Sequence, residues 1–183
     1  MNLKTNRLII TNFTLDMAQA VHKNSLDEDT RRFLPDEVFE TVEAAKETIS
    51  FLMSQYENSE APGPLVYPVL FADETNIGYV QAVPTEKRDW EIGYHIAKQY
   101  TGKGYATEAV TVFLPAIMKN LKIDKIYGIC DAKNLASCRV LEKCGFTLEF
   151  EGQGVYQGKT KQIKKYIFEE GGAARQIMSG GEK

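Results

Sequence analysis

The sequence offers little that would tie it to a membrane, a polyanion or a disulfide scaffold. No stretch approaches the ~18 apolar residues that a membrane span needs, and the opening "MNLKTNRLII" has no long apolar h-region. Neither charge sign dominates: 22 Lys and Arg stand against 25 Asp and Glu, a formal net charge of -3. With no global field to attract a polyanion, nucleic acid is not expected as a partner. Cysteine is scarce, and Cys130, Cys138 and Cys144 make neither an even set nor a CxxC pair. They read as buried, reduced thiols, and no metal site is expected. A cytoplasmic enzyme or binding protein without membrane contact is the class that survives these absences.

What is present is ordinary globular composition, 43% hydrophobic and 26% charged, in 183 residues that suit one domain with a real core. That domain is expected over residues 1–170. The glycine-rich "GGAARQIMSGGEK" from 171 to 183 reads as a mobile tail, with a short docking helix as the alternative.

Periodicity supplies the order of elements. "RLIITNFT" reads as a strand, and "LDMAQAVHK" as a helix behind Thr14 as N-cap. Thr41 opens a helix whose Val42, Ala45, Ile49, Leu52, Met53 and Tyr56 share one face. "LVYPVLFADE" and "NIGYVQAV" form a hairpin about Asp73 to Asn76, and "DWEIGYHIA" is the next strand. The helix after Gly104 aligns Ala106, Ala109, Val110, Phe113, Ile117 and Leu121, with a kink or break expected near Thr111 to Pro115. "DKIYGICD" is a strand and "NLASCRVLEKC" a short helix capped by Asn134, ending at Gly145 and Phe146. "TLEFEG" and "KKYIFEE" close the sheet as a hairpin. The result is an α+β fold, one central mixed, mostly antiparallel sheet of about seven strands flanked by helices.

One turn carries chemistry. In "EIGYHIAKQYTGKGYATEA" a strand ends in a bend with Gly102 and Gly104 and enters a helix at once. The first helical amides have no partners there and the helix dipole is positive, so the place suits a phosphate. Lys103 adds a cation. The spacing is neither a Walker loop nor a dinucleotide GxGxxG, and a plain strand-to-helix turn is the alternative.

"QYTGKGYATEA" resembles motif A of the GNAT N-acetyltransferases, with Gln99, Gly102 and Gly104 at its fixed positions. "NLASCRVLEKCGF" resembles motif B in the form usual for the RimJ/RimL branch, through Asn134, Ser137, Glu142, Lys143, Gly145 and Phe146. "LKTNRLIITNFT" is similar to that branch's first strand around Thr5, Arg7 and Leu8. The resemblance implies acetyl-CoA as cosubstrate, a GNAT-like domain, and two splayed central strands, "WEIGYHI" and "KIYGICD". It places pyrophosphate on the amides of residues 102 to 106, with Tyr105 and Ala106 among them, and the pantetheine arm against Ile96 and Ala97. Asn134 would bond pantetheine or simply cap its helix. Arg139 and Lys143 would approach the 3′-phosphate or stay solvated.

Acetyl transfer needs a neutral amine, a stabilised oxyanion and a proton for the leaving thiolate. Strand alternation puts Glu91, Gly93 and His95 on one face and Trp90, Ile92, Tyr94 and Ile96 on the other. Glu91 matches a glutamate that many GNAT enzymes use as base, and His95 could relay a proton; a solvated face is the alternative for both. The resemblance also exposes a gap, because Leu141 stands where many members carry an acid tyrosine. Ser137 matches the serine thought to replace it in the RimL-like branch, or is a first-turn helix serine bonding local backbone, with Tyr94, Tyr156 or solvent as the other proton sources. Gln162 stands where that branch often has aspartate. A peptide α-amine, with a pKa of about 7.7 to 8.0, needs less of its base than a lysine near 10.4. An N-terminal α-amine is therefore the expected acceptor; polyamines, amino sugars and antibiotics stay open, as do a catalytically silent CoA-binding module and a homodimer.

Overall fold

Residues Leu65–Leu70 are buried at every position, as a strand must be when both faces of its sheet are covered. They lie near the middle of the computed structural model, which describes residues 1–58 and 63–170. The tail expected to be mobile, 171–183, lies outside the described residues.

In chain order the elements are β1 (Leu3–Lys4), β2 (Ile9–Ile10), α1 (Ala18–Ser25), α2 (Glu28–Phe33), α3 (Val42–Gln55), β3 (Leu65–Leu70), β4 (Asn76–Pro84), β5 (Trp90–Ile96), α4 (Tyr105–Leu121), β6 (Lys125–Asp131), α5 (Leu135–Lys143), β7 (Thr147–Tyr156) and β8 (Lys159–Glu169). The strands make one sheet in the order β1-β2-β3-β4-β5-β6-β8-β7. Every neighbouring pair is antiparallel except β5 and β6, which are parallel.

The sheet has eight strands rather than about seven. "RLIITNFT" does not form one strand; only Ile9 and Ile10 ladder with β3, and Leu3–Lys4 folds back on them through a turn closed by Thr5 N–H donating to Leu8 O at 2.9 Å.

Helices cover both faces. Val110, Phe113 and Ile117 of α4 and Leu141 of α5 join Ile77, Val80, Ile92 and Ile126 in the larger core cluster. Each such burial contributes roughly 1.5–3 kcal/mol. On the other face α1 and α3 bring Ala18, Ala45, Ile49 and Leu52 against Phe13 and Val66.

α3 begins as expected, Thr41 Oγ1 accepting from Ala44 N–H at 3.1 Å, but Met53 turns out to solvent. α4 runs unbroken through Pro115, against the expected interruption. Pro115 and Thr111 lie on its exposed face, so the carbonyl that loses its amide partner faces water and the buried stripe is undisturbed. Cys130 and Cys138 are buried free thiols, while Cys144 is only partly covered. No described helix is long and apolar enough to cross a membrane.

Candidate active site

β5 and β6 are joined at a single registered pair, Glu91 with Tyr127. Past that point the strands part, and the β6-facing edge of β5 presents backbone donors and acceptors without a strand partner. β5 meanwhile keeps an unbroken antiparallel register with β4 from Trp90 to Ile96. No bulge disturbs its alternation: Trp90, Tyr94 and Ile96 pack with buried Ile92 against the α4 and α5 core, and Glu91, Gly93 and His95 face the α1 and α2 side. A cleft of about 940 Å³ runs through the opening.

The glycine turn forms one end of this cleft. Gly102 and Gly104 have φ of +77° and +82°, the left-handed region that other residues enter at a cost of roughly 1–2 kcal/mol. A Cβ on Gly102 would meet nothing within 4 Å, and one on Gly104 only Arg7 at 3.7 Å, so the space above the turn is open. Gly104 is the N-cap of α4 and offers no side-chain cap, which leaves first-turn amides unpaired at the cleft.

The N-terminal segment holds this turn in place. Arg7 donates from Nε to Glu108 Oε2 at 2.7 Å and from Nη1 to Lys103 O at 3.1 Å, and its guanidinium lies over the Tyr105 ring. Thr5 Oγ1 donates to Glu108 Oε1 at 2.5 Å.

Of the residues singled out by sequence, Glu91, His95, Ile96, Gly102, Gly104, Tyr105, Ala106, Asn134, Ser137, Arg139 and Lys143 line the cleft. Ala97, Gln99 and Lys103 do not. Ala97 is fully buried, Gln99 Nε2 donates to Asn24 Oδ1 at 3.3 Å, and Lys103 presents its carbonyl to Arg7. Asn134 caps α5, its Oδ1 accepting from Ser137 N–H at 3.1 Å.

Ser137 and Tyr94 form a unit across the opening. The Tyr94 hydroxyl lies 2.8 Å from Ser137 O and 2.9 Å from Ser137 Oγ. A carbonyl only accepts, so Tyr94 donates to it and the Ser137 hydroxyl donates to Tyr94. Burial pushes the Tyr94 hydroxyl far above its ordinary pKa and keeps it protonated.

The opposite wall is acidic. Burial raises Glu91, with Lys165 opposing the shift. Burial also pushes Glu37 up to about 6, against nearby His95 and a hydrogen bond from Gln81. Asp27 is held well below the usual carboxylate range by the His95 ring and by donors from Thr30, which outweigh its partial burial. Thr30 Oγ1 lies 2.8 Å from His95 Nε2 and 3.1 Å from Asp27 Oδ2. Tyr156 at the end of β7 and Gln157 in the turn after it close this end.

Asp27, Thr30 and Glu37 escaped the sequence reading. The one local signal for Asp27 and Thr30 is "DEDTRRF", where an Asp N-cap precedes two acidic first-turn residues and two basic last-turn ones, marking a helix of only six residues; Glu37 lies beyond it.

Residues 7–147 match the model of the acetyltransferase (GNAT) domain. The uncharacterized N-acetyltransferase YnaD of Bacillus subtilis is 30% identical over 151 residues, 81% of this chain and 84% of its own length. An acetyltransferase of the GNAT family from Bacillus anthracis superposes with a TM-score of 0.74 at 26% identity, over 92% of this chain and 98% of that one. RimL, described as a ribosomal L7/L12 α-N-protein acetyltransferase in complex with coenzyme A, shares the fold with a TM-score of 0.76 at 17% identity, over 91% of this chain and 96% of its own. An open central pair of strands, a glycine turn feeding a helix and these likenesses lead to one conclusion: the chain belongs to the GNAT family and is an N-acetyltransferase.

Proposed function

We propose that the protein transfers the acetyl group of acetyl-CoA to a primary amine, with an N-terminal α-amine of a peptide or protein as acceptor, by direct attack in a ternary complex. The observation that carries this reading is the parting of β5 and β6 beyond Glu91, directly beside the glycine turn. The residues present fit the cosubstrate. Amides at Gly104 to Ala106 suit a pyrophosphate, and the unpaired edge of β5 suits an arm that carries amides of its own.

The acceptor would enter from the opposite wall, where Asp27, Glu37 and Glu91 favour a cationic ammonium group. Glu91 and His95 are the bases on that wall. Ser137 and Tyr94 stand on the other side of β5, where Tyr94 brings a phenol to α5 despite Leu141 in the helix itself. Transfer makes the amine nitrogen–carbon bond, breaks carbon–sulfur and leaves a thiolate, toward which the Ser137 hydroxyl would turn from Tyr94 as hydrogen-bond donor.

An α-amine with a pKa of about 7.7 to 8.0 gives up its proton to such a base far more readily than a lysine near 10.4, which favours it as acceptor. RimL, whose printed name makes it an α-N-protein acetyltransferase, shares the fold, and motif B has the RimJ/RimL form. The test is an acceptor panel of N-terminal peptides, lysine peptides, polyamines and aminoglycosides, read by intact mass. Gain of one acetyl group on peptide N-termini is expected. Acetylation of small amines alone would overturn the acceptor assignment, and coenzyme A binding without transfer to any amine would identify a silent module.

A further inference from the structure

Resting on the acetyl-transfer reading above, we infer that His95 is the base that receives the acceptor's proton, at Nδ1, and that Asp27 and Thr30 are positioning residues that fix its tautomer. The Asp27 carboxylate can only accept, so the single hydroxyl proton of Thr30 goes to Asp27 Oδ2, 3.1 Å away. Thr30 Oγ1 then has only lone pairs to offer His95 Nε2 at 2.8 Å, and Nε2 must carry the imidazole proton. The lone pair of the neutral ring therefore sits on Nδ1, which has no hydrogen-bond partner among the described residues of a side chain that lines the cleft.

The support is built in. Asp27 Oδ1 also accepts from Thr30 N–H at 2.9 Å, so the N-cap of α2 holds the whole relay rigid. The Tyr79 ring stacks on the imidazole at 5.5 Å and limits its rotation. The titratable groups that surround the ring are Asp27 at the start of α2, Glu37 in the 35–37 turn, Tyr79 on β4, and Glu91 four residues back along β5.

In the step itself Nδ1 takes a proton from the acceptor ammonium. The freed nitrogen lone pair bonds the acetyl carbon, the carbon–sulfur electron pair leaves on sulfur, and the second nitrogen proton passes through water in the cleft to the thiolate. The imidazolium then returns its proton to water in the cleft.

The chain has two histidines, which makes the tautomer directly readable. His22 Nδ1 lies 2.7 Å from Phe39 O, so His22 must carry its proton on Nδ1, opposite to His95. Nitrogen-15 correlation spectra of histidine-labelled protein above about pH 8, where a free imidazole is neutral, should show one ring of each tautomer, with His22→Gln as assignment. Thr30→Val should scramble the His95 tautomer and lower kcat ~10-fold without changing KM for acetyl-CoA; Thr30→Ser should restore both. His95→Gln should lower kcat ~100-fold. Asp27→Asn keeps a capping side chain, so loss of the tautomer there is not a folding defect.

An Nδ1–H tautomer at His95, or a Thr30→Val protein with an unchanged tautomer and rate, overturns the positioning role. Full turnover in His95→Gln with none in Glu91→Gln gives the base to Glu91. An Nε2–H tautomer in a protein that acetylates no amine overturns the acetyl-transfer reading instead.

Discussion

Tyr94 and Ser137 hold each other's hydroxyls, and that ties the fate of the leaving sulfur to a pair rather than to one residue. In Ser137→Ala the donor nearest the proposed sulfur position is lost while the Tyr94 bond to the residue 137 carbonyl remains. The expected outcome is a ~10-fold to 100-fold fall in kcat with acetyl-CoA affinity preserved, because the interaction strengthens only as charge develops on sulfur. Tyr94→Phe frees the Ser137 hydroxyl and should cost less than Ser137→Ala. Steady-state kinetics under conditions where chemistry limits turnover decides; a larger loss in Tyr94→Phe would make the phenol the proton source. Asn134 was legible as a cap because capping is local, and Ser137 only through the motif B resemblance. The Tyr94 contact was not, because it joins residues 43 positions apart, and strand alternation states which face a side chain takes without naming what it meets there.

At the level of elements, the glycine turn is a joint between β5 and α4 clamped from outside by Arg7 and Thr5. Gly104→Ala must hold alanine at a φ of +82°, a strain of about 1–2 kcal/mol, yet its Cβ meets only Arg7 at ordinary contact distance. The variant should therefore fold with Tm lowered by a few degrees, and calorimetry should find acetyl-CoA bound at least ~10-fold more weakly, because the methyl group stands over the proposed phosphate seat. Unchanged affinity in the folded variant would remove phosphate from this turn. Lys103→Ala should do far less, since only the Lys103 carbonyl takes part in the clamp. The turn and both flanking elements could be read from spacing alone. α2 could not, because six residues without an apolar stripe give no period to detect.

For the molecule as a whole, Glu37 sets a measurable stability cost. Its pKa of about 6 in the fold, against 4.5 for the free group, means that folding favours the protonated carboxyl. That contribution is complete below pH 4.5 and disappears as pH rises through 6. Above pH 6 the ionised carboxylate destabilises the fold by up to about 2 kcal/mol. Glu37→Gln should raise Tm by a few degrees at pH 7.5 and leave it unchanged at pH 4.5, as thermal melts at the two pH values would show; equal shifts at both would dissociate the effect from ionisation. Fold class and the order of elements along the chain followed from periodicity across most of the described residues. The eighth strand did not, because two-residue strands have no alternation and exist only through their partners. The lone Glu91–Tyr127 rung has a mechanical meaning as well. It leaves β1 to β5 and the β6-β8-β7 group as two plates joined by one registered pair and by the shared core that α4 and α5 build beneath both. A cosubstrate lying between them is mortar: it should stiffen the joint, slow hydrogen exchange on both plates at once, and make its own departure depend on how readily the plates flex apart.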